Sequence, residues 1–117
     1  NCGYTDYFIN RNDDKYFLCF ENKSDKLYLI MKFMKKKDNN ILEIIESYNK
    51  KYGKCNTKKE MREGYERILY IWEIKKEDIK ITITNSDDII EISFFNVTMI
   101  NEALKFKLTK CHKLKEI

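Results

Sequence analysis

His112 is the only histidine in the 117-residue chain, and Cys111 stands beside it. A thiol and an imidazole form a nucleophile–base pair only when they face one another. Sequence neighbours point about 100° apart on a helix and to opposite faces on a strand, so this pair is not preset for that chemistry. Carboxylates group at Asp13-Asp14, at Glu60 with Glu63, and at Asp87-Asp88 with Glu91. Two acids divide proton-transfer work when burial separates their pKa values. These lie among Asn, Ser and Lys in hydrophilic turns and read as solvated. A calcium loop needs regularly spaced oxygens and a glycine turn, and neither is present. GxGxxG, P-loop, GxSxG and HExxH patterns do not occur. The three glycines, Gly3, Gly53 and Gly64, cannot build a phosphate-cradling loop of the usual kind. The expectation is therefore no catalytic residue, no metal set and no cofactor.

Cys2, Cys19, Cys55 and Cys111 are even in number but show no CxxC spacing, so neither a zinc site nor a redox pair is indicated. Cys19 lies within Tyr16-Phe17-Leu18-Cys19-Phe20 and reads as a small core residue. Cys55 and Cys111 could meet only if the C-terminal segment packs near the end of the helix described below. The net charge is +4, and nearly all the basic residues are lysines, with arginine only at 11, 62 and 67. Abundant Lys, Asn and Ile together mark an AT-rich genome, which supplies lysines for reasons unrelated to ligands.

The lysines still cluster. Lys35-Lys36-Lys37 form one run; Lys50, Lys51, Lys54, Lys58 and Lys59 form a second; Lys105, Lys107, Lys110, Lys113 and Lys115 form a third. The second and third would together suit nonspecific binding of nucleic acid or another polyanion. The aromatics, however, lie within apolar strand patterns rather than between the lysines as stacking platforms. Solvated lysine is the favoured reading and polyanion binding the alternative. Asn22-Lys23-Ser24 and Asn96-Val97-Thr98 match the glycosylation sequon, a match that an Asn-rich chain produces by chance.

The elements that must position these residues are legible in the apolar periodicity. With 43% hydrophobic and 14% aromatic residues and no proline, residues 1–117 read as one domain able to bury roughly two-thirds of its unfolded surface. Residues 1–14 read as an irregular lead-in with a short strand at Tyr7-Phe8-Ile9, and residues 112–117 as a tail. Lys15–Glu21 and Lys26–Lys35 flank the turn residues Asn22-Lys23-Ser24-Asp25 as a hairpin. The second strand is apolar on both faces, which predicts a central place. Asn40 with Glu43 makes a capping box. Ile41, Ile44, Ile45, Tyr48 and Tyr52 then form one helical stripe, ending at Gly53 as a left-handed C-terminal residue. Lys54–Gly64 reads as a polar loop. Arg67–Ile74, Ile79–Thr84 and Ile90–Phe94 alternate as a three-stranded meander whose Tyr70 and Trp72 pack on the helix. Behind a Thr98 cap, Val97, Ile100, Leu104, Leu108 and Cys111 suggest a short final helix, although Leu104, Phe106 and Leu108 also alternate. The predicted fold is α+β, with an antiparallel sheet of about five strands (hairpin, helix, three-stranded meander) on one main helix.

Residues 41–97 resemble small exported bacterial α+β domains. The resemblance is carried by the helix ending Lys51-Tyr52-Gly53, by the strand with Tyr70-Ile71-Trp72, and by the two alternating strands that follow. The layout is also similar to one repeat of β-lactamase inhibitor protein. Such domains place a proline just after the Tyr-Gly pair, where Lys54 and Cys55 stand here. The resemblance implies a secreted or cell-envelope setting, with a cytoplasmic one as alternative, and a binding role; it carries over no catalytic residue.

The chain starts at Asn1, and Asn1-Cys2-Gly3 could be the remainder of a lipoprotein cleavage site with a lipid on Cys2 as its only link to a membrane. The expected function is a non-catalytic protein-binding domain. Its contact residues, on the sheet face away from the helix, would be Leu69, Ile71, Ile89 and Phe95. A register error of one residue would turn all four inward.

Overall fold

The computed structural model describes residues 3–106. Seven strands form one antiparallel sheet: β1 (Tyr4–Arg11), β2 (Asp14–Glu21), β3 (Lys26–Lys35), β4 (Asn56–Arg62), β5 (Tyr65–Ile74), β6 (Ile79–Ser86) and β7 (Ile89–Asn96). Their spatial order is β1-β2-β3-β7-β6-β5-β4. Helix α1 (Ile41–Tyr52) joins β3 to β4, and α2 (Val97–Phe106) follows β7. The chain is thus α+β with an antiparallel sheet, but seven strands replace the expected five.

Both added strands lie at sheet edges. β1 extends the short Tyr7–Ile9 segment into eight residues, closed on β2 through Asn12 and Asp13. Both turn residues have positive φ, 51° and 68°, the two-residue turn whose twist matches the flanking strands. β4 occupies the expected polar loop and joins β5 through Glu63 and Gly64, again both at positive φ. Neither edge strand alternates between wet and dry faces, so the usual strand signal is missing.

The helix α1 begins and ends where the capping residues predict. Asn40 Oδ1 accepts from the Leu42 and Glu43 amides at 3.0 and 3.3 Å, satisfying two otherwise orphaned donors. Gly53 stops the helix with φ 92° and ψ 176°, a region open essentially to glycine alone but extended rather than left-handed helical. Ile45 packs with Trp72, Ile81, Ile83, Ile90 and Ile92, flanked by Ile41, Ile44, Tyr48 and Tyr52. The meander's apolar alternation therefore faces α1. Trp72 is buried, and its indole Nε1 donates to Gly53 O at 2.9 Å and to Asn49 Oδ1 at 3.1 Å.

α2 lies on the opposite face. Ala103, Met99 and Ile100 pack with Cys19, Tyr28, Leu29, Phe17 and Tyr4, and the register puts Cys19, Phe17 and Leu29 on the side turned away from α1. Cys19 is a core residue as expected, but of this second core. A bulge in β3 brings it about. Cys19 pairs Leu29 and Phe20 pairs Leu27, so Tyr28 is an extra residue that joins Leu29 beneath α2, while Leu27 turns to the α1 face. The cap of α2 is Asn96, whose Oδ1 accepts from the Met99 amide at 2.9 Å; Thr98 instead donates its amide to Asp78. Leu104 is exposed and the small Ala103 is buried in its place.

Burial raises the Tyr28 phenol above its ordinary pKa, with Cys19, Asp6 and Tyr4 adding to the effect. Tyr48 is raised by burial and then by Tyr52. The folded chain holds these protons more tightly than the unfolded one. Their stabilisation is complete below the ordinary tyrosine value and is lost as pH climbs through the folded values. Urea unfolding should thus give a free energy that falls from about pH 10 upward, with a shallower fall in Tyr28→Phe; equal slopes would contradict this. Ile83, fully buried between α1 and the sheet, should cost about 3 kcal/mol on truncation to Ala by the same measurement.

Candidate functional site

A sheet of seven strands is roughly 29 Å wide, and a helix roughly 10 Å. α1 leaves the interior strand β3 and must reach the far edge at β4, so it passes over β7, β6 and β5. No helix of the described residues lies on the β1–β3 half of that same face. Along the boundary runs a groove of about 650 Å³ lined by Tyr48 of α1, by Tyr16, Leu27, Ile30 and Lys32 of β2 and β3, and by Ile92 and Phe94 of β7; at one end its lining includes Tyr28, Leu29, Phe95 and Met99 of the opposite face.

Tyr48 forms the helix-side wall. Its ring centroid lies 5.5 Å from Trp72 and 6.0 Å from Phe94, so the wall is anchored in the main core. Ile30 and Phe94 pair directly across β3 and β7 and give the floor. Lys32 is the cation on the sheet side. Its Nζ sits 5.7 Å over the Tyr16 ring and 3.6 Å from Asp14, which fixes the ammonium at the rim. The lining is apolar apart from Lys32, Lys26, Asn96 and the tyrosine hydroxyls. No carboxylate lines it. Among the described residues no three His, Cys, Asp or Glu side chains could share a metal ion.

Leu69, Ile71, Ile89 and Phe95 all fall on the face away from α1, as the alternation predicts. They do not form one surface. Ile71 pairs Thr82, which pairs Ser93, and Leu69 pairs Thr84, which pairs Glu91. Polar side chains of β6 and β7 thus stand between the apolar residues of β5 and the half-buried Phe95. Thr84 is buried there and donates to Ile68 O at 3.0 Å. Ile89 is 41% exposed, beside Lys35, Lys36, Lys37, Asp87 and Asp88 at the end of the sheet. Arg67, paired with Glu60 and 3.9 Å from Glu91, fills more of that face.

The second lysine cluster is also divided. Lys50 and Lys51 end α1 and Lys54 follows it. Lys58 and Lys59, adjacent on β4, point to opposite faces, and Lys59 lies 3.8 Å from Glu66. Lys51 is committed to the Tyr52 ring at 5.3 Å. Tyr70 and Trp72 are core residues against α1, while Tyr65 is exposed at the β4–β5 turn. Cys2, Cys111, His112 and the lysines from Lys107 onward lie outside the described residues. Cys55 is a free thiol packed against the main core. No helix of the described residues is long and apolar enough to cross a membrane.

The groove contains no sequence motif. Its one sequence signal was β3, apolar on both faces in a chain with a single strong helix.

No protein-family model, curated protein or solved structure matches this chain.

With the second lysine cluster split between two faces, a fluorescein-labelled DNA duplex in about 50 mM salt should show no saturable binding below roughly 100 μM protein. Saturable binding that is lost in Lys50→Glu/Lys51→Glu would instead assign those lysines a polyanion.

Proposed function

We propose that the chain is a non-catalytic protein-binding domain, exported or surface-associated, that takes apolar side chains of a partner protein into the groove between Tyr48 and Leu27. One observation carries this reading: a groove of about 650 Å³, apolar in floor and walls, beside α1 on the half of the sheet face that no helix of the described residues covers. That volume is in the range of ligand sites, which are characteristically apolar with a few placed polar groups. Leu27 is 39% exposed at its margin. Tyr16, Tyr48 and Phe94 are rigid aromatic side chains of the kind that anchor interfaces. Lys32 offers one positive charge to an acidic group at the edge of the contact.

The resemblance of residues 41–97 to exported binding domains supports the same setting. A lipid on Cys2 would hold the domain at a membrane surface without a spanning segment. Ile71, Leu69 and Ile89 on the other face are secondary in this reading, because polar side chains divide them.

A peptide display library panned against the intact chain tests the proposal. Selected peptides should bind with micromolar affinity. Leu27→Asp or Ile30→Asp should weaken them at least tenfold, and Ile89→Asp on the opposite face should leave them unchanged. Enrichment of no peptide, or peptides indifferent to both groove substitutions, would sink the reading.

A further inference from the structure

The two edges of the sheet are built differently. β4, at one edge, carries Lys58, Lys59, Glu60 and Arg62, and charge on an edge strand is a common device against pairing with another chain. β1, at the other edge, has eight residues, no lysine, no proline and an unbroken register with β2. Its centre is Tyr7-Phe8-Ile9, exposed by 51%, 79% and 43%. Phe8 is the most exposed of the large hydrophobic residues among those described. Apolar side chains therefore project from both faces of an edge whose charged residues, Asp6 and Arg11, flank that apolar centre rather than interrupt it.

The turn between β1 and β2 sets which backbone groups point outward. In a two-residue hairpin the flanking pair, here Arg11 and Asp14, exchanges both of its main-chain hydrogen bonds. Alternation then turns Ile9 and Tyr7 inward to β2, and directs the N–H and C=O groups of Asn10 and Phe8 away from the sheet.

We infer that β1 pairs antiparallel with β1 of a second copy, about a two-fold axis through Phe8 and normal to the sheet. The occupant is a second copy because the strand complements itself in this register. Phe8 meets its own equivalent, Asp6 faces Asn10 of the second copy, Thr5 faces Arg11, and Tyr7 faces Ile9. No like charges oppose one another. Phe8 already rests on Phe17, with ring centroids 4.6 Å apart, and Phe17 pairs Met31 across β2 and β3. Pairing continues that row across the axis and covers the side of Phe8 that Phe17 leaves open. Sliding the register by two residues, to an axis through Tyr7, would set the Asp6 carboxylate against Phe8.

The joint is about six main-chain hydrogen bonds flanked by two short apolar rows, the scale of a weak interface. Sedimentation of the full chain should give a monomer–dimer equilibrium with a dissociation constant on the order of 10–100 μM. Phe8→Lys should weaken it at least tenfold, while Lys59→Ala at the other edge should leave it unchanged. Amide exchange on the wild-type chain provides the second readout and requires no variant to fold. The Phe8 and Asn10 amides should become protected as concentration rises, and those of Tyr7 and Ile9 should be protected throughout. A chain that stays monomeric at millimolar concentration, or a dimer whose Phe8 amide exchanges freely, overturns the inference.

Discussion

The structure depends on one constraint of connectivity. The chain leaves the sheet at an interior strand, β3, third of the seven, and re-enters at its far edge, β4. Everything between must travel over β7, β6 and β5, so α1 has to be amphipathic and the strands beneath it must be apolar on that face. Ile81, Ile83 and Ile90 are fully buried below it, and Asn49 ties its last turn down by accepting from both Trp72 and the Cys55 amide. Burial at roughly 25 cal/mol per Å² makes this apolar layer the main stabilising contribution. The two hydrogen bonds of the Trp72 indole also fix where the helix ends relative to β5. Register of the whole meander follows from that layer, because a slip by one residue would turn three strands of isoleucine to water.

The same constraint explains why α2 sits on the other face. β7 ends beside the start of β3, so the chain emerges at the middle of the sheet and runs over the β1–β3 half. Each helix covers one half, on opposite sides. The bulge at Tyr28 is what prepares the second half for α2, since it adds an aromatic residue to the side that already carries Cys19 and Leu29. The cost falls on the opposite side, where no helix of the described residues covers Leu27, Ile30 and Tyr16. The groove is therefore a product of topology, and its walls owe their rigidity to the core from which Tyr48 and Phe94 extend.

How much of this the residues disclosed follows from what each signal requires. α1 was legible to its terminal residues because three independent features agreed: the Asn40 cap, the stripe from Ile41 to Tyr52, and Gly53. The inner strands were legible because one face is buried and the other wetter, which writes a period of two into the sequence. β1 and β4 pair on one side only and bury neither face fully, so Thr57-Lys58-Lys59-Glu60 resembles a loop in composition. The bulge could not be foreseen, since Leu27, Leu29 and Met31 alternate correctly until one residue is skipped. In α2 the close approach to Cys19 and Tyr28 selects the small Ala103, and hydropathy ranks it below the exposed Leu104. The four proposed contact residues were placed on the correct side, yet their separation by Thr82, Thr84 and Ser93 depends on strand order, which no local pattern encodes.

Symmetry links the groove to the open edge. A two-fold axis normal to the sheet carries each face onto itself, so pairing through β1 puts both grooves on one side of a continuous sheet. Each groove sits on β3 and β2, and the axis lies just beyond β1. The two sites are then about five strand spacings apart, roughly 24 Å. A partner that presents two apolar segments at that distance would engage both, with the second contact made at an effective concentration in the millimolar range rather than from bulk solution. Weak grooves and a weak joint would then reinforce each other by linkage, since a bivalent partner favours the dimer and the dimer favours that partner. An edge strand with an exposed apolar centre is a liability for a monomer. On the proposed reading, with a shallow binding surface bordered by Lys26 and Lys32, it is the element that makes modest contacts add.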